Sequence, residues 1–132
     1  MFENLDMFRM AYAMAVHAGY KQAVTAQNVA NADTPGYKAR DIVAFADTYQ
    51  TADATPGGSV QKSTRARHMH GAVAGSIPDA VIDPNGVGTP NGNTVSLENE
   101  ILKSLDAKRQ HDRALAIYKF SLGILRATLS RS

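Results

Sequence analysis

With 132 residues, a net charge of +2 and a pI near 9.0, the chain has room for one small domain and is only weakly basic. Both signs of charge are interspersed, so the basic patch of a nucleic-acid-binding protein is missing, and the lack of cysteine excludes disulfides, zinc-thiolate sites and a thiol nucleophile. Hydrophobic residues make up 44%, but many are alanine, with four phenylalanines, five tyrosines and no tryptophan, so a self-contained core is thin and burial by assembly is the natural alternative.

The opening residues carry Glu3 and Asp6 and lack the cationic start and continuous apolar region of a cleavable signal peptide. No apolar run approaches the roughly 20 residues that span a bilayer. Asn4 is an expected N-cap, with Asp6 in the first turn where its charge suits the helix dipole. From there Phe8, Tyr12, Ala15, Gly19, Gln22, Ala26 and Val29 alternate steps of four and three, which predicts a heptad-like seam, with Met7, Met10 and Met14 as a second apolar line. An amphipathic helix covering its own core would show the same pattern. Leu5 to Asn31 would be roughly 40 Å long, far longer than a compact fold of this size needs.

Asn31, Asp33, Pro35 and Gly36 then end the helix. Thr34 precedes a proline and is pushed out of the helical region, Pro35 presets the first turn position, and Gly36 supplies the positive φ of a type II turn. Tyr37 is placed to pack its ring behind the turn. Local chemistry alone accounts for no more than a helix end followed by a turn.

Between Asp41 and Gly92 the pattern changes. Ile42, Val43 and Phe45 predict a short strand or a continued extended segment, after which Pro56-Gly57-Gly58-Ser59, Gly71, Gly75, Pro78, Asp83-Pro84-Asn85-Gly86, Gly88 and Pro90-Asn91-Gly92 punctuate the chain. Val60–Thr64 and Ala80-Val81-Ile82 are candidate hairpin strands in a loosely structured, partly mobile insert. His68-Met69-His70 offers two imidazoles without carboxylates or cysteines beside them, too few for a structural metal, and reads as a solvated basic loop with Arg65 and Arg67.

Asn93-Thr94-Val95-Ser96-Leu97-Glu98 opens a second long helix, with Ser96 as N-cap and Glu98 and Glu100 in the first turn. Leu97, Ile101, Ser104, Lys108, His111, Leu115, Tyr118, Leu122, Leu125 and Leu129 again alternate four and three, and the apolar residues from Leu115 onward predict that the C-terminal half is the better buried. The helix reaches about 50 Å. His17 and His111 sit on opposite helices with no serine or carboxylate placed to complete a triad, and neither a phosphate loop nor a dinucleotide fingerprint occurs. No enzymatic activity and no cofactor are expected. The fold class is mainly α: two long terminal helices packed antiparallel as a coiled-coil-like pair, with an irregular or small β-hairpin insert. Residues 1–132 form one domain, divided into 1–40 (helix and turn), 41–92 (insert) and 93–132 (helix).

Asn28-Val29-Ala30-Asn31-Ala32-Asp33-Thr34-Pro35-Gly36-Tyr37-Lys38-Ala39 closely resembles the signature near the N-terminus of flagellar axial proteins of the rod and hook class. Gly92–Glu98 resembles the segment that opens the C-terminal helix of the proximal-rod branch, and Thr64 followed by His68 resembles a motif of its middle region. With residues 5–40, these cover somewhat more than half the chain. Ser96 stands where an aspartate is usual and His111 where a tyrosine is expected; Ser96 still caps, while His111 puts one packing contact in doubt.

The resemblance implies a structural subunit of the bacterial flagellar basal-body rod in which the terminal helices form the inner tube wall. Its implied partners are the adaptor at the rod base, neighbouring proximal-rod subunits, further copies of itself and the flagellar export apparatus, with neither nucleic acid nor a small-molecule substrate among them. The implied location is the periplasmic rod, reached by type III export without a cleavable signal. Asn28, Asn31, Thr34, Pro35, Gly36 and Tyr37 at the bend, and Leu115, Tyr118, Leu122, Leu125 and Leu129 on the C-terminal seam, are the expected subunit-interface residues. A small helical adaptor or export chaperone of the flagellar type III system is the alternative from another class.

Overall fold

The computed structural model describes residues 2–53 and 79–130. Helix α1 spans Phe2–Ala30, strand β1 Arg40–Asp41, helix α2 Phe45–Asp53, strand β2 Val81–Ile82 and helix α3 Leu97–Leu129. At 1.5 Å per residue, α1 is about 43 Å and α3 about 50 Å long. The two helices run antiparallel, with Phe8 against Tyr118, His17 against Gln110 and Asn28 against Glu100. The expected pair of long terminal helices is therefore present, together with a two-stranded antiparallel sheet pairing Arg40 with Ile82 and Asp41 with Val81.

Small residues form the contact between the helices. Ala11, Ala18 and Thr25 of α1 are buried, as are Glu100, Ala107, Ala114 and Ser121 of α3, each set spaced by seven. A seven-residue period keeps one line of a helix facing its partner, and side chains that are short everywhere but at Glu100 let the two backbones come close. The expected seams lie one and four positions after these buried residues, rotated from the contact line by roughly 75°. Tyr12 is 71% exposed, Leu115 42%, Tyr118 43% and Leu129 73%, while Leu122 and Leu125 are half-buried. The prediction that the C-terminal half of α3 is the better buried is thus overturned: the leucine line is set aside so that the alanine line can close.

Three boundaries also differ from expectation. Helix α1 begins at Phe2, so Asn4 lies inside it rather than capping it. The extended pairing falls on Arg40–Asp41, and Phe45 begins α2 instead of extending a strand. The Ile42 N–H bonds locally to Asp41 Oδ1 at 2.8 Å instead of to a strand partner, and the ladder ends there. The candidate strand Val60–Thr64, the mobile portions expected of the insert and the His68-Met69-His70 loop lie outside the described residues.

The segment from Ala39 to Asp53 crosses one side of the helix pair as a strap. His17, the residue before buried Ala18, donates from Nε2 to the Val43 carbonyl at 2.9 Å and meets the Phe45 ring edge-on at 5.5 Å. Tyr12, the residue after buried Ala11, points to the opposite side. The helix pair is therefore covered on one face beside His17, while Tyr12, Leu97, Ile101, Leu115 and Tyr118 stay uncovered on the other.

Candidate functional site: the bend between the terminal helices

The largest fully buried side chains of the described residues are Glu100, Asn28, Asn93 and Ser121, all polar. Three of them surround the bend. Burying an amide is favourable only when its donors and acceptors are all paired, and these are: no buried side-chain nitrogen or oxygen among the described residues lacks a partner.

Asn28 sits on the last full turn of α1. Its Nδ2 donates to the Arg40 carbonyl at 2.7 Å and to Glu100 Oε2 at 3.0 Å, and its Oδ1 accepts the Arg40 N–H at 3.0 Å and the Tyr37 hydroxyl at 3.3 Å. One side chain thus mimics a strand partner for Arg40 while joining α1 to α3. The turn itself follows the sequence: the Tyr37 N–H bonds the Thr34 carbonyl at 3.3 Å and Gly36 has φ +72°. A helix leaves its last carbonyls unpaired. Asn93 supplies donors to that end, its Nδ2 lying 2.9 Å from the Asn31 carbonyl and 2.8 Å from those of Ala32 and Thr34. Its Oδ1 accepts the Val95 N–H at 2.7 Å, which fixes the residues entering α3.

The chain after the bend is then stitched to the segment before α3. Gly36 N–H bonds the Asn91 carbonyl at 3.0 Å, Ala39 N–H bonds Thr94 Oγ1 at 2.8 Å, and Thr94 N–H bonds the Tyr37 carbonyl at 3.0 Å. Gly92, at φ +79°, turns the chain so that Asn91 and Asn93 both face the bend. Ser96 caps α3 as expected, accepting from the Asn99 N–H. The exposed carboxylate of Glu98 has a lowered pKa because its own backbone N–H and the Ser96 hydroxyl bond its charged form.

An ion cluster ties the small sheet to α3. Lys103 Nζ lies 2.6 Å from Asp83 Oδ2, 2.9 Å from Asp41 Oδ2 and 3.4 Å from Glu100 Oε1. Burial disfavours the ammonium charge, but hydrogen bonds to Asp83 and Asp41 outweigh it and raise the lysine above its ordinary range. The same bond from Lys103 holds Asp83 below the usual carboxylate range, against the opposing effect of burial. Halfway along the pair, Gln110 Nε2 donates to His17 Nδ1 at 3.2 Å, so its two partners define the ring as the Nε2-protonated tautomer.

Of the residues expected at the interface, Asn28 is buried, Asn31 and Tyr37 are half-buried, and Thr34, Pro35 and Gly36 are exposed on the outer side of the turn. Asn31 closes the turn locally, donating to the Gln27 carbonyl at 2.8 Å and accepting the Thr34 hydroxyl at 3.3 Å. Leu115, Tyr118, Leu122, Leu125 and Leu129 lie away from the bend on α3, so the two groups form separate surfaces. Asn93, Glu100, Lys103 and the His17–Gln110 pair were not singled out by sequence reasoning as parts of a site. Among the described residues, no group of His, Asp or Glu could hold a metal ion, and no helix is long and apolar enough to cross a membrane.

A locked bend thus joins two long helices that are small along most of their contact and apolar on an open side. Residues 19–38, which carry Asn28 and the whole turn, match the family described as flagella basal body rod protein. Over 133 aligned residues, 98% of this chain and 96% of the relative, it is 27% identical to the flagellar basal body rod protein FlgB of Agrobacterium fabrum (strain C58 / ATCC 33970).

Proposed function

We propose that the chain is a proximal-rod subunit, acting as one axial domain that assembles into the drive shaft of the flagellum by packing its terminal helices against neighbours. The observation that carries this reading is the uncovered apolar face shared by α1 and α3, opposite the strap. Exposed leucine and tyrosine lines on helices already paired through alanine gain most by meeting further helices. Leu115, Tyr118, Leu122, Leu125 and Leu129 supply that contact, and the turn Thr34-Pro35-Gly36 faces a second neighbour. The adaptor at the rod base, the next rod subunit and further copies of this chain are the partners, and the chain reaches them through the flagellar type III export apparatus. Side chains that are loosely held in the free protein lose conformational entropy as neighbours cover them.

The test replaces Leu115 and Leu129, both substantially exposed, with glutamate. The paired variant should keep the helical circular dichroism of the parent, yet fail to enter isolated basal bodies and fail to restore swimming to cells lacking the gene. Normal incorporation and normal swimming would overturn the assignment of this face.

A further inference from the structure

The loop between β2 and α3 carries the same turn twice. Asp83-Pro84-Asn85-Gly86 and Thr89-Pro90-Asn91-Gly92 each place proline second, asparagine third and glycine fourth, and in each the glycine N–H returns to the carbonyl of the first residue. Asparagine before glycine is chemically vulnerable, because the glycine nitrogen can reach the asparagine side-chain carbonyl with no Cβ in the way. Local sequence gives the two sites nearly equal reactivity, but their surroundings differ. Asn91 is held on several sides: its Oδ1 accepts the Asn93 N–H at 3.1 Å and the Thr89 hydroxyl, and its carbonyl accepts the Gly36 N–H at 3.0 Å. The Gly92 N–H is bound to the Thr89 carbonyl at 2.8 Å. Asn85 is exposed, its backbone N–H bonds Asp83 Oδ1 at 2.9 Å, and among the described residues its carboxamide has no hydrogen-bond partner. The Gly86 N–H reaches the Asp83 carbonyl at the longer distance of 3.3 Å.

We infer that Asn85 is a site of spontaneous covalent modification, a deamidation in which the Gly86 nitrogen attacks the Asn85 side-chain carbonyl, and that the fold protects the matching site at Asn91. In this step the Gly86 nitrogen gives up its proton and bonds Asn85 Cγ, the Cγ–Nδ2 bond breaks, and the side-chain nitrogen leaves as ammonia, closing a cyclic imide. Water then opens the imide at one of its two carbonyls, giving aspartate or isoaspartate, and either product adds one negative charge. Attack requires the turn to open and the carboxamide to swing onto the glycine nitrogen. At Asn91 the same swing also breaks two side-chain hydrogen bonds, each slowing the reaction by roughly fivefold. The new carboxylate at position 85 lies in the hollow that this residue shares with Asp41, Asp83 and Lys103, where one ammonium already serves three carboxylates. Isoaspartate also lengthens the main chain by one carbon in the turn that follows β2.

Incubation of the purified full-length chain at mildly alkaline pH in heavy-oxygen water tests this, with tandem mass spectrometry reading the oxygen gained at positions 85 and 91 separately. In the folded chain Asn85 should convert about 10-fold faster than Asn91, or more. In urea, where only local sequence acts, the two rates should come together. Asn85→Gln keeps a carboxamide but sets it one methylene further from the backbone, so the early acidic form seen on ion exchange should vanish. Gly86→Ala is a poorer block, since the added methyl would lie 2.9 Å from Thr94 Cβ and disturb the turn itself. Equal rates in the folded chain, faster conversion at Asn91, or an Asn85 that stays intact while the unfolded chain converts would each overturn the inference. A difference of the same size in urea would overturn it too, because the cause would then lie in the sequence and not in the fold. Persistence of the early acidic form in Asn85→Gln would place the reaction elsewhere and overturn the assignment.

Discussion

Asn93 offers the sharpest perturbation because a single amide completes one helix and launches the next. Its two amide protons are shared by three carbonyls and its oxygen accepts one N–H, which is about three full hydrogen bonds. At about 1 kcal/mol net for each, Asn93→Ala should cost about 3 kcal/mol, a large part of the 5–15 kcal/mol that holds a typical domain. Asn93→Asp has nearly the same shape but turns a carboxylate oxygen toward the carbonyls of Asn31, Ala32 and Thr34 at a site that is 1% exposed. An unpaired buried charge costs more than a missing bond, so at pH 7 the aspartate variant should be less stable than the alanine variant. Its carboxyl is pushed up in the folded state, so the deficit should shrink as the pH falls and the proton returns. Urea unfolding followed at 222 nm measures all three proteins, and a loss of 3 kcal/mol should also lower the midpoint of thermal unfolding by about 12 °C. The reasoning is refuted if alanine costs under 0.5 kcal/mol, or if aspartate equals or exceeds alanine in stability at pH 7.

Three further outcomes follow from the same geometry. Lys103→Met leaves Asp41, Asp83 and Glu100 facing one another without a cation and should cost about 2–3 kcal/mol by urea unfolding, the lower end for a broken buried pair because the lysine is partly solvated. The lowered pKa of Asp83 adds stability that is complete above its unfolded value of about 3.9 and fades as the pH drops through the folded one; the raised Lys103 contribution is complete below about pH 10.4 and fades above its folded value. An acid titration of stability should therefore be flatter in Lys103→Met than in the parent. Gly36→Ala meets no atom within 4 Å of the new methyl, so its effect is conformational alone, a loss of about 1–2 kcal/mol in thermal unfolding set by the positive φ.

The helices, the turn at Pro35-Gly36 and the Ser96 cap were all legible because each depends on neighbours in sequence. The face by which the helices meet was not, since the four-and-three pattern of large residues and the seven-residue repeat of Ala11-Ala18-Thr25 with Ala107-Ala114-Ser121 are both present, and only packing decides between them. Close approach favoured the smaller set. Asn28 stood out through its motif, whereas its partners Glu100 and Arg40 are distant in sequence and carry no local mark. Asn93 had one readable sign, a carboxamide between Gly92 and the start of a helix, but its target carbonyls lie some sixty positions earlier. Phe45 read as strand because an aromatic after Ile42 and Val43 fits a pleated edge, while the His17 ring and the Val43 bond anchor it at the start of a helix instead.

The strap gives the hairpin a front and a back. Beside the bend, a neighbour approaching along the His17 side meets Val43 and Phe45 first, whereas Tyr12, Leu115 and Tyr118 lie open on the other side. Fifteen residues of connecting chain thus make the two sides of the hairpin chemically unlike near the bend.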